Sequence, residues 1–289
     1  MMRLGRIPYI NCYPVYGALD RGIVRVDAEI VNGVPTALNA QMAAGDLDVS
    51  VVSAVEYARD SKRYLLLPDL AISCDGPVRS VMLFSKRHAS RLGGRRVLVS
   101  RSSMTSMALL ELLFEQVWSC RPLFVPAGAE ISDVARFGDE EHDARLVIGD
   151  AALVLGSRLI GAQHDGARSI ASAARYEFAY DLGDEWKKWT DLPFVFAVWV
   201  ARRTANVHEA LALHAGLISS RNWGLANRAT LAREASRASG VGERLCEEYL
   251  SGLDYGLSYP HLAGLTEFYR RLVVRGRIPD GTLTFLPAA

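Results

Sequence analysis

The chain has 289 residues, and its 33 lysines and arginines against 32 aspartates and glutamates leave a formal charge of +1. This balance argues against nucleic acid as the main partner and against a polybasic membrane anchor, because both need a surplus of positive charge. Half of the residues are hydrophobic, as in an ordinary globular protein, and at about 150 residues per domain the length indicates roughly two domains.

The sequence carries no signal for export, membrane insertion or cysteine chemistry. Its first residues contain no apolar leader, and no run of about 18 apolar residues occurs, so we expect a cytoplasmic protein without a membrane span. The cysteines are widely scattered, which predicts free thiols rather than disulfides or a zinc site; they are Cys12, Cys74, Cys120 and Cys246.

Short apolar runs alternate with helical stretches, which is the pattern of parallel α/β layers. The first predicted elements are a strand ending near Ile7, a helix over 13–21, a strand over 29–34, a helix over 35–44 and a strand over 49–52. The pattern then repeats with a strand over 96–100, a helix over 106–118, a strand over 123–125, a helix near 131–137 and a strand over 146–148. This repetition predicts two similar α/β lobes.

Two longer apolar runs, over 78–85 and 193–201, are predicted to be strands that join the lobes. We therefore expect a discontinuous first lobe made of residues 1–85 and 195–289, and a second lobe made of residues 86–194. The last quarter of the chain has helical periodicity and ends in a predicted helix over 261–275.

No metalloprotease, dinucleotide-binding, P-loop or nucleophile-elbow motif occurs in the sequence. We therefore expect neither a metal ion nor a cofactor. On motifs alone, the sequence indicates a two-lobed α/β protein that binds a small molecule.

Polar residues cluster where predicted strands end, which is where open α/β sheets bind their ligands. The segment over 100–106 places four serines and one threonine between a strand and a helix. Hydroxyl groups and helix amides together make an anion site there, whereas simple capping of the helix needs only one hydroxyl. Ser103, Thr105 and Ser106 are the candidates.

Other strand ends carry further candidates. Asn11 either caps the next helix or orients a ligand hydroxyl, and Ser53 and Ser80 also lie near the ends of predicted strands. Arg79 either binds a carboxylate with two hydrogen bonds or forms an ion pair with the neighbouring lobe. Asp150 is either a general acid or base or a helix cap, and the sequence does not separate these roles.

Six stretches of the sequence, in this order, resemble the chorismate dehydratase family of the futalosine route to menaquinone. They are YINCYP over 9–14, GVPTALN over 33–39, GPVRSV over 76–81, SMTS over 103–106, IGDAAL over 148–153 and LPFVFA over 192–197. The likeness runs from about residue 3 to residue 275. One departure is Asp191, which stands where the family pattern has glycine, so the local turn is in question.

The resemblance implies the fold of type II periplasmic binding proteins, with two lobes, each a mixed sheet flanked by helices, and a cleft between them. It also implies the conversion of chorismate to 3-[(1-carboxyvinyl)oxy]benzoate and water. Loss of the C3 proton and the C4 hydroxyl makes the ring aromatic, so the resemblance implies no cofactor.

The resemblance also suggests roles for the candidate residues. Those expected to bind substrate are Ser53, Arg79, Ser80, Ser103, Thr105 and Ser106. Asn11 is expected to orient the C4 hydroxyl or the group that takes the proton. The base is either Asp150, the only carboxylate in the matching stretches, or the enolpyruvyl carboxylate of the substrate itself.

Three other functions are compatible with this sequence. They are a 1,4-dihydroxy-6-naphthoate synthase of the same pathway, a solute-binding protein that feeds a transporter, and the ligand-sensing domain of a transcription regulator. The missing export signal disfavours the second, and the third lacks a segment for a DNA-binding helix pair. The sequence gives no indication of the oligomeric state.

Overall fold

The structure is a computed structural model that describes residues 1–127, 141–165 and 176–287. Its strands are β1 (Met2–Arg6), β2 (Ala28–Asn32), β3 (Val49–Ser53), β4 (Tyr64–Cys74), β5 (Val81–Ser85), β6 (Arg96–Val99), β7 (Leu123–Pro126), β8 (Ala144–Ile148), β9 (Phe178–Asp181) and β10 (Phe194–Arg202). Its α-helices are α1 (Tyr13–Asp20), α2 (Pro35–Ala44), α3 (Ala54–Arg59), α4 (Met104–Gln116), α5 (Asp150–Asp165), α6 (Leu182–Thr190), α7 (Val207–Ala226), α8 (Arg228–Ser239), α9 (Glu243–Gly252) and α10 (Tyr259–Val274).

The strands form two five-stranded sheets with the same arrangement. The first sheet has the order β2-β1-β3-β10-β4 and the second has the order β7-β6-β8-β5-β9. In each sheet the first three strands are parallel, and the fourth strand lies antiparallel between its neighbours. The prediction of two similar α/β lobes, each with a mixed sheet, is therefore confirmed. We call the first sheet with its helices the first lobe and the second sheet with its helices the second lobe.

The chain passes between the sheets after β4 and again after β9. β5 is hydrogen-bonded to β8 and β9, so Val81–Ser85 lies in the second sheet, whereas the sequence prediction placed these residues at the end of the first lobe. β10 pairs only with β3 and β4, so the return to the first sheet begins at Phe194. The two strands predicted to join the lobes, β5 and β10, therefore each pair within one sheet. The chain passes between the sheets in the segment before each of them.

The long strand β4 is absent from the sequence prediction. Pro68 and Asp69 interrupt its apolar residues, and a proline inside a sheet removes a ladder hydrogen bond. The structure accommodates this interruption with shifts in register between β4 and β10, and Asp69 adopts a φ of 52°. The Arg221 side chain of α7 then donates hydrogen bonds to the carbonyl and the carboxylate of Asp69.

The predicted helices are found within a few residues of their expected limits. α4 begins at Met104 rather than at residue 106, because the Ser103 hydroxyl caps it by accepting the N–H of Ser106. The Asn206 side chain caps α7 in the same way. The helix predicted near 131–137 lies outside the described residues.

All four cysteines are free thiols, as predicted.

Asp191, the residue that departs from the family pattern, ends α6. It adopts a φ of 58°, in the left-handed region that glycine usually occupies at this position of a helix. Its backbone N–H donates to the carbonyl of Lys187, and its carboxylate lies 3.0 Å from the Lys187 ammonium group. The turn therefore forms with aspartate in place of glycine.

The described helices include none that is long and apolar enough to cross a lipid bilayer.

The close packing of α7 on α1 allows a test of the fold. A Cβ atom at Gly224 would lie 2.2 Å from the carbonyl oxygen and 2.5 Å from the Cα atom of Pro14. Because both atoms belong to the backbone, we expect Gly224→Ala to lower the free energy of unfolding by about 2–3 kcal/mol, measured by urea denaturation. The control is Gly252→Ala, since a Cβ atom at that helical position meets nothing within 4 Å. Equal stability of the two variants would contradict the packing described here.

Candidate functional site

A small cavity lies between the two lobes, with a volume of about 70 Å³. Its wall contains polar residues that lie at strand ends or near helix starts, and these are Asn11, Ser53, Ser80, Ser103 and Ser106. Apolar side chains complete the wall, among them Ile7, Ile72, Val81, Ile148 and Phe196. The cavity therefore offers hydroxyl and amide groups on an otherwise apolar surface.

Helical segments begin at this wall on several sides. The cavity is lined by Tyr9, which precedes the 3-10 turn Ile10–Cys12, and by Pro35, the first residue of α2. It is also lined by the three residues that directly precede α3, α4 and α5, which are Ser53, Ser103 and Gly149. Helix amino termini carry unpaired N–H groups and a partial positive charge. Their convergence makes the cavity favourable for anionic groups.

The described part of this wall carries no formal charge. Among the described residues that line the cavity, none is a lysine, arginine, histidine, aspartate or glutamate. Any anion in the cavity is therefore stabilised by neutral dipoles rather than by an ion pair. Among the described residues, no group of three histidine, cysteine, aspartate or glutamate side chains is placed to hold a metal ion.

Asn11 presents an unused acceptor to the cavity. Its side-chain oxygen is buried and accepts no hydrogen bond from any described residue. A buried polar atom without a partner is costly in free energy unless a ligand satisfies it. Asn11 therefore does not cap the following helix, and its oxygen is available to a ligand hydroxyl.

Ser103 caps α4 and also lines the cavity. Its hydroxyl lies 2.6 Å from the Ser106 hydroxyl and accepts the Ser106 N–H at 3.2 Å, which caps α4. Both residues also line the cavity. The cap thus fixes two hydroxyl groups at the amino terminus of α4, facing the ligand space.

Asn39, to which the sequence assigned no role, holds Ser53 in place. The Asn39 side chain accepts the Ser53 N–H at 3.2 Å and lies 3.3 Å from the Ser53 hydroxyl. Asn39 is buried in α2, and its side-chain nitrogen also approaches the sulfur of Met104 at 3.2 Å. Its place within a stretch that matches the family was the only signal in the sequence.

Hydrogen bonds beside the cavity tie the lobes together. The N–H of Ile10 in the first lobe donates to the Asp150 carboxylate in the second, at 3.0 Å. The N–H of Val55 in α3 donates to the Thr105 hydroxyl in α4, at 3.2 Å. The Tyr9 ring also packs on Gly149, where a Cβ atom would lie 3.1 Å from the ring and the φ of 66° disfavours other residues. The structure thus shows the cleft closed.

Three of the predicted site residues do not line the cavity. Thr105 is buried, and its hydroxyl is occupied by the Val55 N–H. Arg79 adopts a φ of 60° and its guanidinium lies 3.5 Å from the Glu248 carboxylate of α9, so it forms the ion pair that was the alternative to carboxylate binding. The carboxylate of Asp150 faces the backbone of Ile10.

The environment of Asp150 changes its acidity. Burial raises the pKa of its carboxyl to about 6, although the hydrogen bond from Ile10 acts in the opposite direction. The pKa of the nearby Tyr249 hydroxyl is also raised. Burial of Tyr249 is the main cause, and the negative charge of Asp150 is the second.

Comparison with known proteins identifies the family. A family model described as menaquinone biosynthesis matches residues 2–273. The chain belongs to this menaquinone biosynthesis family. A relative from Thermus thermophilus, named chorismate dehydratase, is 32% identical over 93% of this chain and 94% of its own length. The resemblance found in the sequence is therefore confirmed.

Solved structures share the fold of this family member. The crystal structure of protein AF1704 from Archaeoglobus fulgidus superposes with a TM-score of 0.74 at 21% identity, covering 96% of this chain and 98% of that one. The Candida albicans CA3427 gene product, described as having the generic periplasmic binding protein fold, gives a TM-score of 0.64 at 11% identity and covers 98% of this chain and 92% of its own. The predicted fold class is confirmed.

The raised pKa of Asp150 predicts a pH dependence of stability. Between the unfolded pKa of about 4 and the folded value of about 6, the folded protein keeps a proton that the unfolded chain has lost. Stability therefore falls by up to about 3 kcal/mol as the pH rises through this window. Asp150→Asn keeps an acceptor for Ile10 but does not titrate, so its free energy of unfolding, relative to the wild type, should increase from pH 4 to pH 7.

Urea denaturation at several pH values measures this difference. The control is Asp27→Asn, because Asp27 is exposed and forms no ion pair or side-chain hydrogen bond with any described residue. A difference between Asp150→Asn and wild type that stays constant with pH would contradict the raised pKa.

Proposed function

We propose that the protein is a chorismate dehydratase, a hydro-lyase that converts chorismate to 3-[(1-carboxyvinyl)oxy]benzoate and water. Membership of the menaquinone biosynthesis family and the 32% identical relative of that name support the proposal. The observation that carries it is the cavity, which surrounds the unpaired Asn11 oxygen with helix amino termini and serine hydroxyls.

This cavity suits a dicarboxylate with a ring and a hydroxyl group. Helix N–H groups and the hydroxyls of Ser103 and Ser106 would hold one carboxylate from the second lobe. Ser80 would also contact the ligand from the second lobe, and Ser53 would do so from the first. The apolar side chains would pack against the ring, and the Asn11 oxygen would accept a hydrogen bond from the C4 hydroxyl.

The base is the remaining element of the mechanism. Among the described residues that line the cavity, no carboxylate or imidazole is present, and the Asp150 carboxylate accepts the Ile10 N–H instead. We therefore assign the base to the enolpyruvyl carboxylate of the substrate. It takes the C3 proton, the C3–H electron pair completes the aromatic ring, and the C4–O bond breaks. The departing hydroxide combines with the proton to give water.

The lobes have to separate for substrate to enter. A cavity of about 70 Å³ is much smaller than the roughly 300–1,000 Å³ of typical small-molecule sites. Closure around the ring would then exclude water and hold the carboxylate of the substrate near C3.

The first experiment follows chorismate by liquid chromatography with mass detection, using purified protein without added metal or nucleotide. We expect chorismate to be consumed and an aromatic enol ether, lighter by one water, to accumulate. Unchanged chorismate would contradict the proposed activity. A thermal shift caused by chorismate without turnover would instead indicate a binding protein.

The Asn11→Ala variant tests the contact to the leaving hydroxyl. We expect kcat to fall by about 100-fold with a much smaller change in KM, because the hydrogen bond positions the group that leaves. The control is Asn32→Ala, which removes an exposed side chain at the end of β2. Retention of kcat in Asn11→Ala would remove Asn11 from the mechanism.

The Asp150→Asn variant distinguishes the two bases. A rate close to that of the wild type is expected when the carboxylate of the substrate takes the proton. A large loss of kcat in a variant that folds normally would identify Asp150 as the base and overturn the assignment made here.

A further inference from the structure

A second and larger groove lies beside the cleft. Its volume is about 500 Å³, and Ser103 lines both this groove and the cavity between the lobes. Val55, whose N–H donates a hydrogen bond to the Thr105 hydroxyl, also lines the groove. The groove and the cavity thus share Ser103, and the groove also adjoins a hydrogen bond between the lobes.

The groove carries a local surplus of positive charge. Three arginines line it, and they come from the end of α3, the loop before α4 and the segment after α10: Arg59, Arg101 and Arg277. Arg277 lies 3.3 Å from the carboxylate of Glu111, the acidic residue on the same wall, and is balanced by it. Arg59 and Arg101 are exposed and form no ion pair or side-chain hydrogen bond with any described residue, although the charge of Arg59 acts to lower the pKa of the nearby Glu56.

The positive charge of the groove lies beside a cavity whose described residues are neutral. The described residues of the cavity provide only neutral groups, so they do not attract an anion over a distance. The chain as a whole has a formal charge of only +1, so its net charge does not supply this attraction either. Two exposed arginines at the edge of the cleft, neither held in an ion pair with a described residue, raise the local concentration of a dianion.

We propose that this groove is an outer docking site for a small dicarboxylate anion, where Arg59 and Arg101 bind the substrate before it enters the cleft. The proposal rests on the proposed function for the identity of the anion. Arg59 belongs to the first lobe and Arg101 to the second, so the docked anion contacts both lobes. When the bond between Val55 and Thr105 breaks, the docked anion has a short path past Ser103 into the cavity.

The test is a double variant, Arg59→Gln with Arg101→Gln, compared with a control that removes the same charge elsewhere. The control is Arg95→Gln with Arg121→Gln. Arg95 and Arg121 are exposed residues that precede β6 and β7, at the opposite end of these strands from Arg101. All four side chains are exposed, so both proteins should fold, and equal melting temperatures verify this.

Steady-state kinetics with chorismate are measured at ionic strengths of about 20 mM and about 300 mM. At low ionic strength we expect the groove variant to show a KM about fivefold higher than the wild type, with kcat within twofold. At high ionic strength the difference should shrink below about twofold, because salt screens exposed charges. The control pair should match the wild type at both. A groove variant that behaves like the control, or a control that loses as much, would overturn the proposal.

A binding measurement separates this proposal from the proposed activity. The probe is isophthalate, an unreactive aromatic dicarboxylate, titrated calorimetrically at low ionic strength. We expect the groove variant to bind it at least fivefold more weakly than the wild type and the control pair. If the wild type does not convert chorismate but this difference is present, the proposed activity fails and the docking site stands. Equal binding by all three proteins overturns the docking site, whatever the activity.

Discussion

The site depends on the junction between strand ends and helix starts. Because parallel strands of one sheet end at the same edge, the helices that follow them begin there too, and this chain brings two such edges together. The bonds from Ile10 to Asp150 and from Val55 to Thr105 hold the edges in contact. Without that contact, each lobe would present only half of the amide groups that surround the cavity.

This construction separates two tasks that a single arginine often performs in anion sites. Neutral amides and hydroxyls line the cavity, and its described lining residues include no charged side chain that would lie next to the ring in the proposed reaction. Charge acts over a longer range, and in the docking site proposed above it lies outside the cavity, on Arg59 and Arg101. A dehydration that forms an aromatic ring needs orientation more than charge neutralisation, which is consistent with this division.

Strand periodicity and the rule for strand ends predicted two similar lobes and five residues of the cavity wall, namely Asn11, Ser53, Ser80, Ser103 and Ser106. They did not predict side-chain direction. Thr105 precedes Ser106 by one residue, but one residue turns a helix by about 100°, so Thr105 faces Val55 instead. The φ of 60° redirects Arg79, and Pro68 concealed a strand that a shift in register accommodates. Such details depend on tertiary contacts that a local pattern does not contain.

The position of β10 has a consequence for biosynthesis. Every strand of the second sheet lies between residues 81 and 181, so this sheet has all its strands once that part of the chain has been made. The first sheet does not, because β4 is joined to β3 only through β10, which ends at Arg202. On a ribosome, where the amino-terminal part emerges first, the second lobe is therefore able to complete its sheet earlier. The free edge of β3 and both edges of β4 remain unpaired until β10 has been made, about 140 residues after β3, and during that interval they are open to wrong pairing.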